Sequence, residues 1–261
     1  MIIRIVLSIF LFGSTLSITP AQSPVYEVSY LADHEMYGAR KLNGENKLKF
    51  SVDKSIYTHQ NYPYKSGHKV DGFTVDITAG DPEKFPVYIS VSDSLIIGKV
   101  KGLVGSGKTI SILEEPLREI NWEITEEQKT IGNFSCIKAF GDQEGRTYEA
   151  WFTLEIPVPF GPYRLYGLPG LILEAHSTDG KVNWTFTGYR KLDSEPEAEI
   201  TEPTFGNRYT WEELVEARIK HKRHMESRND MDTTVGIRDP YEGFYIELGK
   251  WNIFEKYLSK K

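Results

Sequence analysis

The chain has 261 residues, 39% hydrophobic and 13% aromatic, with 31 Lys and Arg against 37 Asp and Glu and a formal net charge of −6. An acidic balance repels phosphate backbones and argues against general nucleic-acid binding. The single cysteine, Cys136, excludes an intramolecular disulfide, so the core must hold by packing alone.

The chain opens Met1-Ile2-Ile3-Arg4, runs apolar from Ile5 to Phe12 around Ser8, and reaches Thr19-Pro20-Ala21 before Gln22. One basic residue, a short apolar stretch and a small residue at its end are the parts of a secretory signal. Residues 1–21 are therefore read as a signal peptide and 22–261 as one exported domain. The apolar run is shorter than the roughly 20 residues a spanning helix needs, and no later stretch reaches that length, so no membrane span is expected.

Residues 26–30, Tyr-Glu-Val-Ser-Tyr, alternate apolar and polar as a half-buried strand does, and so do 48–52 and 55–58. The spacer 66–86, broken by Gly67, Gly72, Gly80 and Pro82, is expected to be a surface loop. Further strands are predicted over 87–91, 94–100, 109–113, 122–125, 136–140, 147–154, 171–177 and 182–190. Short turns such as Asn43-Gly44, Gly141-Asp142 and Asp179-Gly180 separate them, which predicts antiparallel meanders rather than βαβ units. An acidic linker, 195–203, precedes Thr210-Trp211-Glu212-Glu213, a capping box in which a hydroxyl and a carboxylate three residues later satisfy each other's amides. Trp211, Leu214, Val215 and Ile219 share one face, predicting an amphipathic helix over 211–228 packed on the sheet.

Few constellations suggest chemistry. Gly102-Leu103-Val104-Gly105-Ser106-Gly107-Lys108-Thr109 matches GxxxxGK[ST]. A P-loop, however, needs a helix directly after the Lys-Thr pair so that first-turn amides face the phosphates. Here Ile110-Ser111-Ile112-Leu113 is β-branched and Pro116 stops it, so a Gly-rich hairpin is expected and no cofactor. Among the six histidines only His221 and His224 are close, and a closed metal site needs further ligands, so no metal is expected. There is no GxSxG elbow, and Cys136 lies in a predicted strand as a small hydrophobe, so no catalytic residue is assigned. Glu155 and Glu174 flank a loop between two strands and are the acids best placed to converge as a hydrolytic pair.

That loop carries the densest pattern. Gly167-Leu168-Pro169-Gly170-Leu171-Ile172 spells GLPGLI, preceded in order by Arg146, Ala150-Trp151-Phe152-Thr153, Ile156-Pro157 and Gly161-Pro162. Over 129–176 the chain resembles the GLPGLI family of exported bacterial proteins, whose function is unassigned and which often occur with outer-membrane transport systems. The resemblance implies an envelope location, in the periplasm or at the outer membrane, and a mainly β (α+β) fold. It suggests a curved antiparallel sheet similar to the half-barrels of lipoprotein carriers, with the C-terminal helix packed on it.

Physically, Pro157 and Pro159 end a strand because neither donates to a ladder. Gly167, Pro169 and Gly170 suit a tight turn that needs a positive φ and a fixed φ. Two readings are open. The segment is either a structural corner, or a lid whose Phe160, Tyr163, Tyr166 and Leu168 bind a ligand or partner, the two tyrosines being partly exposed. The leading functional expectation is a non-catalytic envelope binding or accessory protein that holds an apolar ligand or meets an outer-membrane transporter. The alternatives are a periplasmic hydrolase using Glu155 and Glu174, or a structural subunit of an outer-membrane complex.

Overall fold

The computed structural model describes residues 23–36, 40–59, 64–70, 73–79, 86–101, 110–143, 145–193, 198–204, 206–214, 216–217 and 220. The expected signal peptide, the Gly-rich 102–109, His221, His224 and the helix beyond 220 lie outside them.

The described strands are β1 (Val25–Met36), β2 (Arg40–Phe50), β3 (Lys54–His59), β4 (Tyr64–Val70), β5 (Phe73–Ala79), β6 (Val87–Ser90) and β7 (Leu95–Lys101). They continue as β8 (Ile110–Pro116), β9 (Trp122–Ile131), β10 (Phe134–Gln143), β11 (Arg146–Thr153), β12 (Leu171–Ser177), β13 (Val182–Leu192) and β14 (Asn207–Tyr209). Twelve of them form one sheet in the order β14-β8-β7-β6-β3-β2-β1-β13-β12-β11-β10-β9. Two antiparallel meanders, β1 to β8 and β9 to β13, are thus joined side by side by antiparallel pairing of β1 with β13. The exception to antiparallel pairing is β14, which lies parallel to β8. The fold is mainly β and mostly antiparallel, as the alternation predicts.

Alternation and register decide what is buried. Val28, Tyr30 and Ala32 point to one face, and cross-strand pairing carries that face to Leu48 and Phe50, to Tyr57, and to Val87 and Ile89. These side chains merge with Ala150, Phe152, Ile172 and Trp184 into one core. On the opposite face Glu27 lies between Lys47 at 3.1 Å and Arg190 at 3.0 Å, while Tyr88, Ile97 and Ile112 form a smaller apolar cluster with Ile200.

Two expectations change, and the strand expected after the Gly-rich segment forms. The spacer 66–86 is not loop throughout: β4 and β5 pair as a separate antiparallel hairpin. β9 continues past Thr125 to Ile131, because an edge strand can hold Glu126, Glu127 and Lys129 in solvent without burying charge. After the Gly-rich segment the chain enters β8, so the helix a P-loop requires is absent there. The capping box forms as read: Glu213 N donates to Thr210 Oγ1 at 3.3 Å and Thr210 N to Glu213 Oε2 at 2.8 Å. The helical turn it starts, 211–214, buries Trp211 and Leu214.

Candidate functional site

The connection from β11 to β12 runs along the buried face of the sheet. It turns back on itself through Gly167 N to Pro159 O (2.9 Å), Ile172 N to Phe160 O (2.9 Å) and Leu171 N to Ile156 O (2.9 Å). Tyr30 Oη donates to Ile172 O at 2.7 Å, fixing the return strand to β1. Gly167 sits at φ +93, the left-handed conformation expected for it. Gly170 is required for a different reason: a Cβ there would overlap the Thr153 carbonyl, so only a bare backbone lets the two arms of the corner close.

The corner also ties distant parts of the sheet together. Tyr166 Oη accepts from Arg118 N (3.1 Å) and donates to Arg118 O (2.6 Å), while Tyr166 O accepts from Trp122 Nε1 (2.8 Å). Arg164 is buried against Glu115 of β8 in an ion pair, and its carbonyl accepts from Gln143 Nε2 of β10 at 3.2 Å. One short segment therefore grips both meanders and the connector between them.

These contacts favour the structural corner over the lid, and correct the exposure expected for Tyr166. Phe160, Tyr166 and Leu168 are core residues, Tyr166 being 7% exposed. The reason is steric and polar together: their apolar bodies fill the sheet's buried face while the Tyr166 hydroxyl meets both backbone groups of one residue, Arg118. Tyr163 alone of the four is half-buried. It holds φ +56, unusual for a residue with a side chain, and packs against Trp184 (6.5 Å, 19°), His59 (5.8 Å) and the edge of Tyr57 (6.2 Å, 72°). The deepest of these rings are themselves pinned, Trp184 Nε1 donating to Tyr57 Oη at 2.8 Å.

Glu155 and Glu174 both lie close enough to Cys136 to act on its thiol, and each is engaged. Glu174 pairs with Lys129 at 2.5 Å, and Glu155 accepts from Ser135 N at 2.8 Å. Burial first, then the Glu174 charge, push the Cys136 thiol up to about 11, with Glu155 adding to the effect and Lys129 opposing it. A thiol so held is protonated at neutral pH and is no nucleophile. Beside it Trp151 lies between Lys129 Nζ, 4.3 Å from its ring centre, and Lys138 Nζ at 5.0 Å. Among the described residues no three His, Cys, Asp or Glu side chains gather as metal ligands.

An open apolar cleft of about 260 Å³ lies where the corner leaves β11. Tyr26, Phe50 and Tyr189 form one wall, Val52 a rim, and Ile156 and Val158 the other side. The aromatic wall is built by register: Tyr26 is opposite Phe50 across the β1–β2 pair, and Tyr189 is on the adjoining strand. Tyr26 stacks on Tyr189 (5.6 Å, 10°) and Phe50 (5.8 Å, 26°), and Phe134 meets Tyr189 edge-on at 5.7 Å. Burial, then the neighbouring Tyr26, raise the Tyr189 phenol above its ordinary value. At the mouth Val52 is 67% exposed, and Val91, 39% exposed, lies on the adjoining turn. Their turns are laced together by Val91 N to Asp53 O at 2.9 Å and Ser92 Oγ to Asp53 Oδ2 at 3.3 Å. Sequence reasoning missed this site because its residues come from segments far apart in the chain. The available signal was Val52, an apolar residue just before Asp53-Lys54 in a turn.

Residues 141–174, from β10 through the corner, match the model of a family described as "Protein of unknown function (Porph_ging)". No curated protein matches the chain in sequence. Among solved structures, PNGF-II in a C2 and in a P21 crystal form aligns with a TM-score of 0.52 in each case, at 15% and 17% identity. Both alignments cover 76% of this chain, but 33% and 34% of the PNGF-II chain. The chain thus spans about a third of PNGF-II's length and is similar to it in fold, while over 141–174 it carries the sequence pattern of a family of unknown function.

Proposed function

We propose that the protein is a non-catalytic binding or accessory protein of the bacterial envelope, which seats an apolar group in the cleft beside the corner. The observation that carries this reading is the cleft itself, with a stacked aromatic wall and solvent-facing Val52 at its rim. An isolated exposed apolar residue is ordinary, but one set on an open aromatic cleft extends a contact surface. Its volume of about 260 Å³ lies below the roughly 300–1,000 Å³ of drug-sized pockets and above the ~150 Å³ that holds a benzene ring. A group of one or two rings, or a short aliphatic chain, fits.

The half-barrel reading of the sheet belongs to the same proposal. β8 and β9 are ten places apart in the sheet, on the order of 48 Å if it were flat. Residues 117–121 join them, a reach of at most about 21 Å. Curling of the two edges toward each other reconciles those lengths and supports a concave face filled by the corner. The hydrolase alternative has no comparable support, since Glu155 and Glu174 are both held by partners. Location rests on residues 1–21 and on the resemblance to envelope proteins, and N-terminal sequencing of the exported form is expected to begin at Gln22.

The binding reading is tested with the full chain and N-phenyl-1-naphthylamine, whose fluorescence rises on entering an apolar site. Saturable enhancement that Val52→Asp abolishes, with the melting curve unchanged, is the expected result. A wild-type protein that gives no enhancement would remove the reading.

A further inference from the structure

Resting on that reading, we infer that the group seated in the cleft is an apolar side chain of a partner polypeptide that carries a cation beside it. Size is the first argument. At about 260 Å³ the cleft takes one large side chain and is too small to enclose a whole acyl lipid, which a carrier would need to shield from water. The rim is the second. Val52 lines the cleft and Val91 is exposed on the turn bonded to it, so whatever covers both must extend beyond the cleft, as a polypeptide segment does.

Charge is the third argument, and it selects among partners. Two of the polar side chains lining the cleft are engaged within the protein, Ser51 Oγ donating to Asp53 at 3.1 Å and Glu155 holding the Ser135 amide. Those two are poorly placed to read a ligand's hydroxyls. Glu155 lines the cleft, and Asp53 and Asp93 lie on the turns hydrogen-bonded to its Ser51–Val52 edge, against Lys54 on the same turn. A net acidic border repels an anionic bilayer surface and a fatty-acid carboxylate, and attracts an ammonium or guanidinium group. The same cation gains from the faces of the tyrosine wall.

The probes are two blocked tripeptides, Lys-Trp-Lys and Glu-Trp-Glu, with N-phenyl-1-naphthylamine and anionic phosphatidylglycerol vesicles as companions, each added to the full chain. Binding is followed by saturation-transfer NMR, or by co-sedimentation for the vesicles. The lysine peptide is expected to bind about tenfold more tightly at low salt, the sum of two exposed charge pairs, and to lose that preference at high salt. The pair Asp53→Asn with Glu155→Gln is expected to erase the preference; because the salt titration uses wild-type protein, the inference stays testable if that variant folds poorly. Equal binding of both peptides, or recruitment to the vesicles, overturns the inference while naphthylamine binding still upholds the apolar site. Failure of naphthylamine and both peptides alike overturns the inference together with the reading beneath it.

Discussion

Two aromatic regions adjoin along β11 and its exit, and they are built to opposite ends. In the corner, Tyr166 satisfies its hydroxyl on Arg118, Phe160 and Leu168 are fully enclosed, and Arg164 is neutralised by Glu115. In the cleft, Tyr26 and Tyr189 stack in a half-open wall, and Val52 faces water. In the corner the buried side chains are tied to partners across the fold; in the cleft apolar surface is left facing water. A dense sequence signature therefore marks the place where the fold is most constrained, and the surface fit for binding lies beside it.

Substitutions separate the two. The largest effect is expected from Arg164→Met, which leaves Glu115 buried without its partner and should cost about 3–5 kcal/mol in urea unfolding. A loss near zero would mean that water reaches the pair and the corner is looser than its burial implies. Gly170→Ala follows, at about 3 kcal/mol, because the new methyl group meets the Thr153 backbone rather than a yielding side chain. Thermal melting reads it, and an unchanged midpoint would show that the two arms can part. Tyr166→Phe removes only a hydroxyl and with it two bonds to the Arg118 backbone, which is exposed enough to turn to water, and is expected to cost about 1 kcal/mol. Val52→Asp should change stability by less than about 0.5 kcal/mol while ending naphthylamine binding. If it destabilises like the corner variants, the contrast between the regions fails.

Much of this was legible in the residues. The alternation at 26–30 and 48–52 located strands and their buried faces, and Thr210 with Glu213 located the helix start to the residue. What misled was local and physical. Gly67 and Gly72 read as breakers, although Thr74, Val75 and Ile77 nearby favour strand, and β4 and β5 pair across them. Phe160, Tyr163 and Tyr166 read as an aromatic loop at the surface, because a sequence does not reveal that a connection folds inward over its own sheet. The cleft was illegible for a third reason. Tyr26, Val52, Ile156 and Tyr189 become neighbours only through the pairing of β1 with β13 and the placement of the corner, and no local pattern encodes that.

The junction of the two meanders also sets the order in which the molecule can be completed. Glu27 on β1 meets Arg190 on β13, 163 residues later in the chain. At ~5–20 residues per second a ribosome needs on the order of ten to thirty seconds between those two strands. Throughout that interval β1 has β2 on one side and an unanswered row of amides and carbonyls on the other. Non-local pairing of this kind is slow to form and open to mispairing with other chains, so the junction of the two meanders is the last part of the sheet that can close. Until β13 arrives, the edge of β1 is the one that another chain can pair with.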